Sequence, residues 1–166
     1  MSLMDAPAYN EARERKKSLI IYGTAGLICV LFIGGWLWAG MPVDFPWNWW
    51  THIRGRAVTR QFMTAVEHND LKKAYGIFIH DPNWEQHPNK DASYPFQKFE
   101  QDWSPNGQGN EFGAIHSYKI VAAKVSGNVL LIGIRFNNVK TENMTLAYDP
   151  HDHTLGFSPV ELYLGD

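Results

Sequence analysis

The chain has 166 residues, with 15 Lys+Arg against 17 Asp+Glu and a net charge of -2 when histidines are neutral. That length holds one domain plus appendages, and a composition of 45% hydrophobic and 19% charged residues excludes wholesale disorder. Near-neutral charge argues against nucleic acid as a partner, since phosphate binding needs a dense basic surface. A single cysteine excludes an intramolecular disulfide framework, a CxxCH haem attachment and a cysteine-cluster zinc site.

Residues 18–40 read SLIIYGTAGLICVLFIGGWLWAG, 23 positions without a charge. At ~1.5 Å per residue the run spans roughly 35 Å, enough to cross a hydrocarbon core of about 30 Å. Lipid offers loose backbone groups no partner, so the run must be helical. A cleaved signal sequence has a shorter apolar region and a small-x-small end. This run ends in bulky Leu37 and Trp38, which predicts an uncleaved anchor. Arg13, Arg15, Lys16 and Lys17 crowd its N-terminal edge, whereas the first basic residue beyond it is Arg54. Positive-inside bias therefore keeps residues 1–17 in the cytoplasm and exports the rest. Ala25/Cys29 and Gly35/Ala39 have the small-xxx-small spacing that permits close helix approach, a pattern common by chance.

Five of the seven tryptophans fall between residues 36 and 50: Trp36, Trp38, Trp47, Trp49 and Trp50. Indole rings prefer the headgroup layer of a bilayer, so residues 41–53 are predicted to be an interfacial linker turned by Pro42 and Pro46. Aromatic clusters also mark protein interfaces, and docking on another membrane protein is the sharper alternative.

The exported part, 54–166, opens with helical periodicity. Val58, Phe62, Ala65 and Val66 recur at three- and four-residue intervals within 51–69. Asp70 is placed to cap a short helix, LKKAYGIF, and residues 79–94 read as loop. Ser93 is expected to cap a third helix, PFQKFEQDW, with Pro95 in its first position and Phe96, Phe99 and Trp103 as its apolar stripe. From Gly113 onward the pattern is β: AIHSYKIVAAKV, a Ser-Gly-Asn turn, VLLIGIRFNNV, MTLAYDP and TLGFSPVELYL. Two of these strands are apolar on both faces, which predicts helices covering the sheet. Three helices followed by four antiparallel strands make an α+β layout.

The helix VTRQFMTAVEHND, the helices LKKAYGIF and PFQKFEQDW, and the strand run SYKIVAAKVSGNVLLIGIRF ending in YDPHDHTLGFSPVELY resemble the nuclear transport factor 2-like (NTF2-like, cystatin-like) superfamily. More narrowly the chain looks like that superfamily's bacterial membrane-anchored members. The resemblance covers residues 58–162. It implies a cone of three helices on a curved antiparallel sheet, exported across a bacterial inner membrane into the periplasm. Proteins of this layout scaffold bacterial secretion assemblies, so the resemblance also implies partners among other membrane protein subunits. The superfold hosts enzymes, ligand binders and interaction modules alike, and function has to be argued from the site.

For chemistry, His116, Tyr118, Arg135 and Asn137 lie on or near strands that could face into such a cone, where Tyr118, Arg135 and Asn137 would form a pocket for an apolar or amphipathic ligand and Arg135 would meet an anionic head. No catalytic motif can be matched, and a non-enzyme without cofactor is expected. His151 and His153 flank Asp152 and could supply half a metal site if both pointed the same way, with His80, Asp81 and His87 the next cluster. A zinc site needs three or four ligands, so a polar turn at Asp149–Pro150 is the simpler expectation. Asn143-Met144-Thr145 matches the N-glycosylation pattern. Trp84 and the segment QDWSPNGQGN are expected on surface loops.

Overall fold

The computed structural model describes residues 11–87, 93–160 and 162. These divide into two compact units, split after Trp38. The first unit is a single helix, α1, Glu11–Trp38, long and apolar enough to cross a membrane and with no buried residue. Its charged first turns carry the pairs Glu11–Arg15 (4.0 Å) and Glu14–Lys17 (2.7 Å). The helix is longer at its start than the uncharged run, because charged residues continue a helix where the chain is hydrated. It stops two residues short of the predicted end at Gly40, which adopts φ 84, a left-handed conformation that glycine takes at low cost.

The second unit holds an α+β domain. After a 3-10 turn at Pro46–Asn48 come α2 (Trp49–Glu67), α3 (Leu71–Phe78) and, beyond a second 3-10 turn at Trp84–Gln86, α4 (Phe96–Trp103). Strands β1 (Tyr118–Ser126), β2 (Val129–Phe136), β3 (Asn143–Tyr148) and β4 (Leu155–Phe157) follow as an antiparallel meander in sequence order. The helix starting at Trp49 moves one predicted boundary. Residues 49–53, expected in the interfacial linker, form the first turns of α2, and His52 is fully buried there.

Local chemistry accounts for most element ends. Asn69 takes φ 55 after α2, and the Asp70 amide reaches back to the Ala65 carbonyl at 2.8 Å, closing the end of that helix. Asp70 then caps α3 as expected, accepting the Lys73 amide at 3.2 Å. His80, at φ 51, occupies the corresponding position after α3, with the Asp81 amide on the Gly76 carbonyl at 2.7 Å. The third helix departs from expectation: Pro95, not Ser93, is the residue before its first turn, and no side chain caps it. The β1–β2 hairpin turns through Gly127 and Asn128, with Gly127 at φ 60 in the first central position that favours glycine.

Among the described residues, helices of the second unit cover one face of the sheet, not both. Leu130, Ile132, Ile134 and Phe136 of β2 pack with Leu146, Tyr148 and Leu155 against Phe62, Phe78, Phe99 and Trp103. A bulge between Ile120 and Ala122 keeps both Ile120 and Ala123 on this inner face. On the outer face β2 sets Leu131, Gly133 and Arg135 beside Lys124, Ala122 and Lys119 of β1. Leu131 is buried on that outer face. The last predicted strand is also shorter than its sequence suggested. It covers Leu155–Phe157, after which the chain leaves the ladder and Leu162 donates its amide to the Thr145 hydroxyl at 3.0 Å. The segment's Pro159 has no amide to continue a ladder. Residues 161, 163 and 164 of that predicted strand lie outside the described residues, as does part of the 79–94 loop.

Candidate functional site

The inner face of the sheet, where a cone of this kind has a pocket either open or filled by side chains, is filled. Phe62 and Phe99 are fully buried and Trp103 is 3% exposed. Their rings meet edge-on, Phe62–Trp103 at 4.9 Å and Phe62–Phe99 at 6.1 Å, and Phe78 closes the cluster at 5.7 Å from Phe99. Such edge-to-face packing is the favoured arrangement for ring quadrupoles.

The three candidate pocket residues are not brought together. Tyr118 pairs with Phe136 on the inner face, and its hydroxyl donates to the Arg60 carbonyl and lies 3.2 Å from Thr64 Oγ1. Arg135 is one position along β2 and therefore projects from the opposite face. Asn137 sits in the turn after β2 at φ 49, where its side chain accepts the His116 amide at 2.9 Å and donates to the Ala114 carbonyl at 3.1 Å. That is a buttress between two loops. His116 is exposed beside it.

The histidine cluster also separates. His151 is exposed and bonds its neighbour Asp152 at 2.6 Å, which raises the His151 pKa by that hydrogen bond first and by the carboxylate charges of Asp152 and Asp149 next. His153 turns the other way, at φ 60, with Nδ1 2.8 Å from the Tyr148 hydroxyl and its ring 5.3 Å from that of His80. His87 pairs with Asp81 at 2.9 Å, and Asp81 also accepts the Asn83 amide, opening the second 3-10 turn. Among the described residues no group of three or more potential ligands converges on one point. In the glycosylation-like triplet, Asn143 and Thr145 lie in β3 and Thr145 is buried.

Among the described residues of the second unit, two concavities bear on function. An open groove of about 1200 Å³ runs between α2, α3 and the loop through Trp84. Ala65, Gly76 and Ile77 are among its apolar lining residues, and Arg60, Lys72 and Lys73 line it together with Asp70 and Glu85. Lys72 is held at 2.8 Å by Glu85, whose hydrogen bond and charge raise the lysine pKa, and Trp84 donates its indole N–H to the Lys72 carbonyl at 3.1 Å. A smaller hollow of about 420 Å³ lies where α4 meets β3 and β4, lined by Trp103, Phe112, Met144 and Phe157 with Asp102 and Glu111. Arg135 is not in its lining.

The remaining surface feature was only partly legible in sequence. Of the predicted interfacial tryptophans, Trp36 and Trp38 belong to α1, Trp47 and Trp50 are exposed on the second unit, and Trp49 is half-buried. Met41, Val43 and Phe45 are exposed beside Trp47, while the even positions Pro42 and Asp44 turn towards the domain. Asp44 Oδ2 lies 2.6 Å from His52 Nε2 and accepts the Val125 amide of β1 at 3.1 Å. The lone polar residue Asp44 between the apolar Val43 and Phe45 was the signal that could have revealed this.

A half-buried phenol, Tyr94, and a buried one, Tyr148, make stability pH-dependent. Tyr94 donates to Asp102 at 2.9 Å, and its pKa is driven far above the ordinary 10.0 by burial first and by that carboxylate next. Burial also raises Tyr148, against the opposing charge of Arg54. The folded state holds these protons more tightly than the unfolded chain, so their contribution is complete below the unfolded pKa of about 10 and is lost as pH climbs from there towards the folded values. Melting temperature is therefore expected to fall above pH ~10, and more gently in Tyr94→Phe. Equal slopes for the two proteins would show that Tyr94 is not held as described.

Compared with known proteins, the chain matches no family model, no curated protein and no solved structure. Fold and surface by themselves define the class: an α+β domain that follows a helix able to cross a membrane.

Proposed function

We propose that this is a non-catalytic, single-pass membrane protein, an accessory or scaffolding subunit that joins a larger membrane complex through an exported NTF2-like domain. The observation that carries the reading is the filled interior: Phe62, Phe99 and Trp103 occupy the space that a substrate or ligand would need. What the domain offers instead is surface. The groove between α2 and α3 exceeds the usual volume of a small-molecule site, roughly 300–1,000 Å³, and suits a segment of another protein. The charge flanks of α1 support a cytoplasmic N-terminus and a periplasmic domain at a bacterial inner membrane, with lipid as the other partner.

Purification from native membranes in mild detergent, with sizing and mass spectrometry of the comigrating proteins, tests this. Stoichiometric comigration with a larger membrane complex is expected, and it should be lost in Arg60→Glu/Lys73→Glu while the melting temperature stays within a few degrees of wild type. A lone monomer or homodimer would count against the reading. The alternative, a tethered binder of an apolar or amphipathic ligand, is favoured by the 420 Å³ hollow beside Trp103 and Phe157. A small molecule retained in the same purified sample would support it.

A further inference from the structure

Over 41–45 the odd-numbered apolar side chains face outward and the even-numbered ones inward, and Trp47 continues the exposed set. Met41 is 58% exposed, Val43 104%, Phe45 66% and Trp47 73%, and Trp50 at the start of α2 is 57% exposed. Phe45 and Trp47 stack with ring centroids 4.6 Å apart and planes 7° from parallel, so the two largest neighbouring side chains form one slab. Beneath them the segment is clamped. Asp44 joins fully buried His52 to the Val125 amide of β1, and prolines at 42 and 46 restrict the backbone on either side. An exposed apolar slab held this firmly has already lost the conformational freedom that binding would otherwise take.

We propose that Met41, Val43, Phe45, Trp47 and Trp50 form a preset ridge that inserts into the headgroup and upper acyl layer of the bilayer, giving the folded domain a membrane contact of its own. The proposal rests on the reading that α1 spans the membrane. Three features select lipid over a protein occupant. Met41 follows the end of α1 by three residues, a reach of ~10 Å at most, so the ridge starts within the interfacial layer. None of the five side chains carries a charge, and aromatic and large aliphatic groups are those the interface takes up. Arg54 lies with its guanidinium 5.0 Å from the Trp50 ring centroid, where a lipid phosphate could pair with it.

The test uses the full chain in nanodiscs of phosphatidylcholine and phosphatidylglycerol, with a nitroxide on one cysteine at a time. The native Cys29 reports on α1. Val43→Cys in a Cys29→Ser background reports on the ridge, and Asn128→Cys in the same background reports on the exposed β1–β2 turn. Relaxation by oxygen should exceed relaxation by a water-soluble nickel chelate at positions 29 and 43, with the reverse at 128. Nickel dominance at 43 with oxygen dominance at 29 overturns the ridge and leaves the spanning helix intact. Shielding from both reagents at 43 places a protein there, a partner or a second copy, and also overturns it. Nickel dominance at 29 overturns the spanning reading itself. A label-free check uses brominated lipid, which should quench wild-type tryptophan emission by a larger fraction than that of Trp47→Ser/Trp50→Ser. Equal fractional quenching contradicts insertion.

Discussion

Replacing Phe62 by alanine is expected to remove about 3–5 kcal/mol from the stability of the domain, the usual loss when a large buried ring is truncated. Phe62 is fully buried on α2, and its ring touches those of Phe78, Phe99 and Trp103, one from α3 and two from α4. No small shift closes the resulting void, because the three helices and the inner face of the sheet all border it. A domain of this size is typically stable by about 5–15 kcal/mol, so the variant would sit near the folding threshold. Near-UV circular dichroism during heating in detergent should show a fall in melting temperature of roughly 10–20 °C. A loss below ~1 kcal/mol would mean that the helices do not meet the sheet through this residue.

The second large effect comes from adding atoms. Gly55 lies where α2 crosses the sheet, and a Cβ there would fall 2.6 Å from Leu130 Cδ2 and 2.9 Å from Tyr148 Cδ1. Both neighbours are fully buried or nearly so, and neither can swing aside without displacing the core. Helix propensity pulls the other way, since alanine gains about 1 kcal/mol over glycine in a helix interior. Overpacking costs about 1–3 kcal/mol, sometimes more, and outweighs that gain. Gly55→Ala should therefore destabilise modestly, and Gly55→Val by about 3 kcal/mol or more. Ala57→Val, on the exposed side of the same helix, is the control and should change stability by no more than ~1 kcal/mol. If Gly55→Ala raised the melting temperature, α2 would not press on β2 and β3 as it does here.

The two substitutions show why the helices themselves were legible and their crossings were not. Apolar spacing at Val58, Phe62, Ala65 and Val66 reports which stripe of α2 is buried, since a helix repeats every ~3.6 residues. Nothing in that spacing says that Gly55 must stay bare for Leu130 and Tyr148 to approach. Likewise, strand periodicity placed Tyr118 and Arg135 on strands, but the faces they occupy depend on register, and register was set by the pairing of Tyr118 with Phe136 and by the bulge at residues 120–122. A pocket built from both residues was therefore never available. The His151/His153 pair failed for a related reason: alternation holds only in extended chain, and His153 takes a left-handed conformation that turns it to Tyr148.

The stretch 41–53 marks the same boundary. Its tryptophans and prolines made an interfacial position plausible from composition, but only the folded domain supplies β1, whose Val125 amide is more than 80 residues away in the chain and orients Asp44 inward. With Asp44 turned in, Met41, Val43 and Phe45 are turned out.

By itself the amino-acid sequence determined the elements whose causes are local: the long apolar helix, the Asp70 cap, the Gly127 turn and the order of helices and strands. Tertiary structure alone decided that the helices cover one face of the sheet, that aromatic rings fill the interior, and that an apolar ridge is held outward. The physical reason is range. Capping, turn chemistry and periodicity act within a few residues, whereas filling a core and aiming a face depend on side chains that meet only after the chain has closed on itself.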